Sequence, residues 1–239
     1  MTSMSITGGW PIRANTPIRA LVLAPWLALF AAVLTLLAMR QYTGGTALDA
    51  RTIGYAPDQN FLSDLGMTVA YDGRANTLGA ALFLASICAM VVAFGTALWH
   101  FVKRYLAIPA SRRAAQAAGV TATIVSVSFV GVALTPENRM MAWHVGFTLM
   151  AFRVAPLVPL LLTVAAFRDR RSSRQEVMGW SALTIIIAAY LLLLTFGPAT
   201  TTDDGLRTMV LAQKLVTIVA SAVLLFQCSR ATNTATHAT

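Results

Sequence analysis

Six long apolar runs constrain this chain more than any other feature. A helix needs roughly 20 mainly apolar residues to cross the hydrocarbon of a bilayer, where every backbone N–H and C=O must find its partner within the protein. Runs of that length fall near residues 18–41, 76–102, 113–135, 139–167, 177–197 and 206–228. Local punctuation supports several ends: Asn76 can cap the second run, Pro136 follows the third, and Gly197-Pro198 stops the fifth. Hydrophobic residues make up 57% of the 239 and charged residues 11%. A soluble globule draws about a quarter of its residues from the charged set, so this surface is made for lipid. The reading is an all-α polytopic integral membrane protein, a six-transmembrane-helix bundle over 18–228. A short segment, 1–17, precedes it, and a polar tail, 229–239, is expected to be disordered.

A formal net charge of +9 would suggest a nucleic-acid partner in a soluble protein. Placing the charges along the chain removes that suggestion. On one side of the predicted spans lie Arg13 and Arg19, Lys103, Arg104, Arg112 and Arg113, Arg168, Arg170, Arg171 and Arg174, and Arg230. The other side has Arg40, Arg51, Arg74, Arg139 and Arg207. Lys and Arg accumulate in cytoplasmic loops, so both termini are expected in the cytoplasm of a cell whose inner membrane the chain crosses. Membrane lipids are the expected partners, with anionic headgroups meeting the basic flanks, and no nucleic acid. The first run is too long for a signal-peptide core and lacks a small-residue cleavage site, which predicts a retained signal anchor.

Seven of the nine acidic residues fall on the outer side: Asp49, Asp58, Asp64, Asp72, Glu137, Asp203 and Asp204. The longest loop, 42–75, lies there too. Structureless loops of that length are uncommon, and Phe61, Leu62, Leu65, Met67 and Val69 give this one an apolar reason to fold back on the bundle as an extracytoplasmic lid. Within the membrane, small residues let helices approach closely. Ala81, Ala85, Ala89, Ala93 and Ala97 form a stripe at four-residue spacing on the second span and predict a helix-packing face. That face serves either internal packing or an oligomer. Thr121, Ser128 and Thr135 on the third span, and Arg207, Lys214 and Ser221 on the sixth, recur every seven residues and predict polar seams.

Arg153 and Lys214 are the two basic residues inside predicted spans. A charge at that depth costs at least about 2.5 kcal/mol, so both are expected to face the bundle interior or a wet cavity. Because no acidic residue lies within a span, their partners must be loop carboxylates, backbone carbonyls or an external anion. Asp64 is the first candidate. Pro156 and Pro159 would free the carbonyls of Phe152 and Ala155 as further acceptors. His144 sits one turn inside the outer end of the fourth span, and nine residues of ideal helix turn it about 180° away from Arg153. Either these groups are structural, or they form a pocket for an anionic ligand with Arg153, Lys214, Gln213, Asn60, Ser63, Asp64 and His144 as binding residues.

Sharper chemistry fails on geography. His100 and His144 sit at opposite ends of their spans, which argues against a haem, and three His cannot gather for zinc. Cys88 is mid-span and Cys228 at the inner end, so they form no disulfide. No cofactor and no metal is called for. A hydrolase using Ser63, Asp64 and His144 is better placed, all three being on the outer side, although Ser63 lacks a glycine-elbow context.

The outer-side residues form a recognisable pattern. The run Asn60 to Gly66 (NFLSDLG), then Asn76, Gly79 and Phe83 (NTLGAALF), Pro136 and His144, and Gln213-Lys214 (AQK) resemble the bacterial membrane-protein family of domain of unknown function 998. That family is similar to the eukaryotic DRAM and Sfk group of six-helix proteins. The resemblance implies a six-helix fold with its shared polar residues on the outer face and, by analogy, a lipid-related role. Three functions are thus expected in order: binding of a lipid headgroup or amphiphilic anion, assembly with other membrane-protein subunits, and hydrolysis.

Overall fold

The structure, a computed structural model, describes residues 17–236, with side chains over 21–231. Residues 1–16, with Arg13 and nearly all of the predicted N-terminal segment, lie outside the described residues, as do 237–239. The fold is all-α. Seven α-helices are described: α1 (Pro17–Gln41), α2 (Thr77–Leu106), α3 (Arg112–Leu134), α4 (Glu137–Val154), α5 (Leu157–Arg168), α6 (Arg174–Phe196) and α7 (Asp203–Thr236). Among the described residues six helical stretches are long and apolar enough to cross a membrane, α4 and α5 together forming one of them. α1 packs on α2, α2 on α3, α3 on both α4 and α5, α5 on α6 and α6 on α7, and α7 closes the ring on α1.

The fourth span is the one that departs from the continuous helix expected over 139–167. Pro156 and Pro159 have no N–H to give, and the helix breaks at Ala155-Pro156. The Ala155 carbonyl, expected to be free for Arg153, accepts from the Val158 amide at 3.2 Å instead. A second kink falls at Met140, whose φ of −134° and ψ of 43° are non-helical. The tail also differs from its expectation, since α7 runs on through Ser229 as far as Thr236. Once a helix is nucleated each further residue adds a bond at little cost, and the buried Leu224, Gln227 and Cys228 anchor the turns just before it.

The alanine stripe on α2 is only half an interface. Ala93 and Ala97 are buried, whereas Ala81 and Ala85 are exposed. Four residues turn a helix by about 400°, so each step drifts roughly 40° off the contact line. In its first half α2 buries Gly79, Phe83, Ser86 and Ala93, which keep to spacings of three, four and seven, and only its second half buries a four-residue series, Ala93, Ala97, Phe101 and Tyr105. Ser86 Oγ reaches the Ala31 carbonyl on α1 at 2.8 Å and pairs with Thr35. The predicted hydroxyl seams turn on themselves: Thr121, Ser128, Thr135, Thr217 and Ser221 each bond a carbonyl of their own helix.

Two cores divide the bundle. The larger gathers Phe101, Tyr105, Leu162 and Trp180, with Phe101 and Trp180 edge to face at 5.0 Å. The smaller lies at the other end, where the loop between α1 and α2 folds down as a cap and buries Leu65 and Ala70 against Ala38, Tyr42, Phe83 and Ala133. The loop therefore does cover the bundle. Its turns need glycine at Gly45, which has φ +81° and where a Cβ would come within 2.5 Å of the Asp72 amide. Gly66 lies so close to the Phe83 ring that a Cβ would meet it at 2.9 Å.

Candidate functional site

The cap is built around one short 3₁₀ helix, Leu62–Gly66. Asp64 forms its third residue, and its carboxylate Oδ2 reaches back to accept from the Phe61 amide at 3.0 Å, as a capping carboxylate does. The same oxygen accepts from Asn60 Nδ2 at 3.0 Å. Asn60 is fully buried and its side chain bonds only within the cap: Nδ2 also donates to the Gly45 carbonyl, and Oδ1 accepts from the Ala56 amide. Asp64 Oδ1 is buried and has no hydrogen-bond partner. Burial pushes the Asp64 carboxyl up to about 7; the Asn60 hydrogen bond draws it down, the charge of Glu137 raises it, and Phe61 and Lys214 draw it down again.

Four successive ties fasten this segment to α7. Asp58 lies 3.6 Å from Arg207, Gln59 Nε2 donates to Asp203 at 3.0 Å, and the Leu62 amide donates to Gln213 Oε1 at 2.8 Å. Lys214 Nζ donates to the Asn60 carbonyl and sits 5.3 Å from the centre of the Tyr55 ring, whose hydroxyl donates to the same carbonyl. The cation predicted to need an inward-dipping loop thus has one, but it meets a carbonyl and an aromatic face rather than Asp64. On the far side, Asn138 at the start of α4 clasps Thr68 through both its amide groups, at 3.0 and 3.2 Å. Asn76 donates to the carbonyls of Leu65 and Met67.

The proposed Ser63, Asp64 and His144 set is not wired together. His144 is buried with Nδ1 on the Thr135 carbonyl at 2.8 Å and Nε2 3.9 Å from Glu137. Asp64 turns to Asn60 and Phe61, and no hydrogen bond among the described residues joins any two of the three. A relay needs nucleophile to base and base to orienting acid within bonding reach. The arrangement at His144 ties the end of α3 to the start of α4.

Arg153 is elsewhere again. It is exposed, on the side of α4 opposite His144 as their spacing predicts, and lines a cleft of about 210 Å³ with Leu149, Phe152, Leu191, Leu194 and Thr195. Edge-on contacts of Phe152 with Phe129 on α3 and Tyr190 on α6 form the back of this region. Arg153 makes no hydrogen bond or ion pair with any described residue. The expectation that it would face inward and share a pocket with Lys214 does not hold: the two share neither a cleft nor a partner.

A fourth cluster was not foreseen. At the end away from the cap, Arg104 Nη1 bonds Glu176 at 2.9 Å and Nη2 bonds Asp169 at 3.1 Å. Tyr105 donates to the same Glu176 carboxylate, and Ser172 to Asp169. Gln227 of α7 donates to the Glu176 carbonyl at 2.8 Å, and Ser173 caps α6 by accepting the Glu176 amide. Burial raises Asp169, but the Arg171 amide and the Arg104 guanidinium outweigh it and hold the carboxyl below its ordinary range. The signal was present in the sequence, since Asp169 and Glu176 are the two acidic residues on the basic side.

Among the described residues no three His, Cys, Asp or Glu side chains gather as metal ligands. Comparison with known proteins finds no family model, no curated protein and no solved structure that matches the chain.

Proposed function

We propose that the protein binds an anionic amphiphile, such as a phosphate-bearing lipid headgroup, with Arg153 as the charge partner and the α4–α6 cleft as the seat of its apolar part. The carrying observation is a guanidinium in a cleft otherwise lined mainly by apolar side chains, with no partner among the described residues. About 13 Å of helix separates it from His144 at the mouth of the span. A charge at that depth needs either a counterion or a path to water, and the planar fork of arginine matches a phosphate or carboxylate in two places at once. In this reading Lys214, Gln213, Asn60 and Asp64 hold the cap rather than the ligand, Ser63 lies on the cap surface, and His144 fixes the rim of the span.

The orientation proposed is the one the charges favour, with the basic end and both termini in the cytoplasm of a bacterial cell and the cap outside. Kinship with the family of domain of unknown function 998 rests on the cap sequence and its α7 partners. A second reading, a subunit of a larger membrane assembly, draws on the exposed half of the alanine stripe, Ala81 and Ala85, which offers a small-residue face to another helix.

Native mass spectrometry of the protein released from membranes tests the first reading. The wild type should retain an anionic lipid, and Arg153→Leu should retain at least tenfold less, whereas Arg207→Gln, which alters an arginine paired at the cap, should retain as much. Equal retention by Arg153→Leu overturns the proposal, and a stoichiometric protein partner in place of lipid favours assembly.

A further inference from the structure

We infer that the cap is a proton-coupled lid: Asp64 takes up a proton as the loop between α1 and α2 closes over the bundle and releases it as the loop lifts. The geometry carries the inference. Asp64 is 1% exposed, its Oδ2 is occupied by the Asn60 and Phe61 N–H groups, and its Oδ1 is buried with no partner. No cation lies within ion-pairing distance of it among the described residues. Lys214, the one positive group at hand, is held by the Asn60 carbonyl and the Tyr55 ring. A buried carboxylate with neither a cation nor a full set of donors is far more costly than the neutral acid.

The groups facing Asp64 reinforce the asymmetry. The loop and the end of α1 bring Tyr42, Tyr55 and Tyr71, neutral side chains whose own ionisation is opposed first by burial and then by the Asp64 charge. α4 brings Glu137, a like charge that stands 3.9 Å from His144. α7 brings Lys214, with Asp58 of the loop beyond it. The nearer half of α2 carries no titratable side chain but the exposed Cys88, and the nearer half of α3 carries none.

The same few residues also form the fastening. Asn60 and Leu62, on either side of the Phe61 amide that Asp64 holds, are the residues tied to Lys214 and Gln213. The loop leaves α1 through Gly44 and Gly45 and approaches α2 through Gly73, all at positive φ. Gly73 has open space around it, so the backbone can turn there without a Cβ penalty, whereas Gly44 and Gly45 pack closely on Thr52 and Asp72 and would move with the loop. Lifting the loop would expose Asp64 to water and return it to ordinary carboxylate behaviour.

The direction follows from the raised affinity of the closed form. Below about pH 4 both forms hold the proton; between about 4 and 7 closing takes up one proton, and the closed lid weakens up to tenfold per pH unit as pH rises. Above about 7 the effect is spent.

Hydrogen exchange of the full-length protein in nanodiscs, from pH 5 to 8.5 and corrected for intrinsic rates, tests this on the segment 58–70. Wild-type protection there should fall by one to two orders of magnitude between pH 5 and 7 relative to residues 100–106 at the far end. Asp64→Asn, which mimics the neutral acid, should stay protected throughout. Glu137→Gln supplies a test that does not alter Asp64: removing the like charge lowers the closed form's proton affinity, so the fall should end at a lower pH and be smaller. A wild-type profile that is flat, or that Asp64→Asn or Glu137→Gln leaves unchanged, overturns the lid.

Discussion

The two ends of the bundle are made from the same ingredients, a buried carboxylate, a basic side chain and a tyrosine, and they use them in opposite ways. At the far end from the cap, Arg104 bonds both Glu176 and Asp169, Tyr105 completes the set, and Asp169 is held ionised. At the cap, Lys214 and Asp64 are neighbours that do not pair, and burial pushes Asp64 toward the neutral acid. What separates the ends is where the cation points. Arginine presents several N–H groups in a rigid fork and can serve two carboxylates at once, whereas Lys214 is a single point, here directed at a carbonyl. One end is locked by a charge pair on its buried carboxylates, and the other leaves its buried carboxyl without a cation, able to change state.

That contrast can be broken most severely at the locked end. Replacing Arg104 with Met strands two largely buried carboxylates, and unfolding in mixed micelles should show a loss of about 3 kcal/mol, the lower end of the range for an orphaned buried charge because Arg104 is itself partly exposed. The pH response of that end should oppose that of the cap. A carboxyl with a lowered affinity contributes stability above its ordinary range and loses it as pH falls through its lowered value, so acid weakens the Asp169 contacts while it favours the closed cap.

A smaller and more local effect belongs to Asn60. Asn60→Ala leaves the Ala56 amide and the Gly45 carbonyl without their partners and should cost about 2 kcal/mol. The loss should appear as faster exchange over 42–76 with little change near Arg104; equal loss at both ends would mean that the cap and bundle unfold as one unit. The smallest effect is expected for Ser63→Ala. Ser63 makes no side-chain hydrogen bond to a described residue, so thermal stability should change by less than about 0.5 kcal/mol. A large change in stability or in any measured turnover would give Ser63 a role that its surroundings do not.

The sequence carried the six crossings because length and apolar content alone decide whether a segment can span. It also carried the folding-back of the loop, through Leu65 and Met67, both now buried. The break at Ala155-Pro156 was visible in the prolines but was hidden by an apolar run long enough to read as one helix. The outward direction of Arg153 is a matter of helix phase: once His144 is known to face the α3 end, nine residues of turn place Arg153 on the opposite side. What the chain order could not give are contacts across large separations. Gln59 meets Asp203 and Leu62 meets Gln213 across about 150 positions, and neither hydropathy nor periodicity encodes such pairings.

One helix touches both contrasting ends. α7 is gripped at Gln213 and Lys214 by the cap and at Gln227 by the Glu176 carbonyl, some 20 Å further down its axis. Held at both points, α7 cannot slide along its axis without disturbing the hydrogen bonds at the cap and at the start of α6 alike.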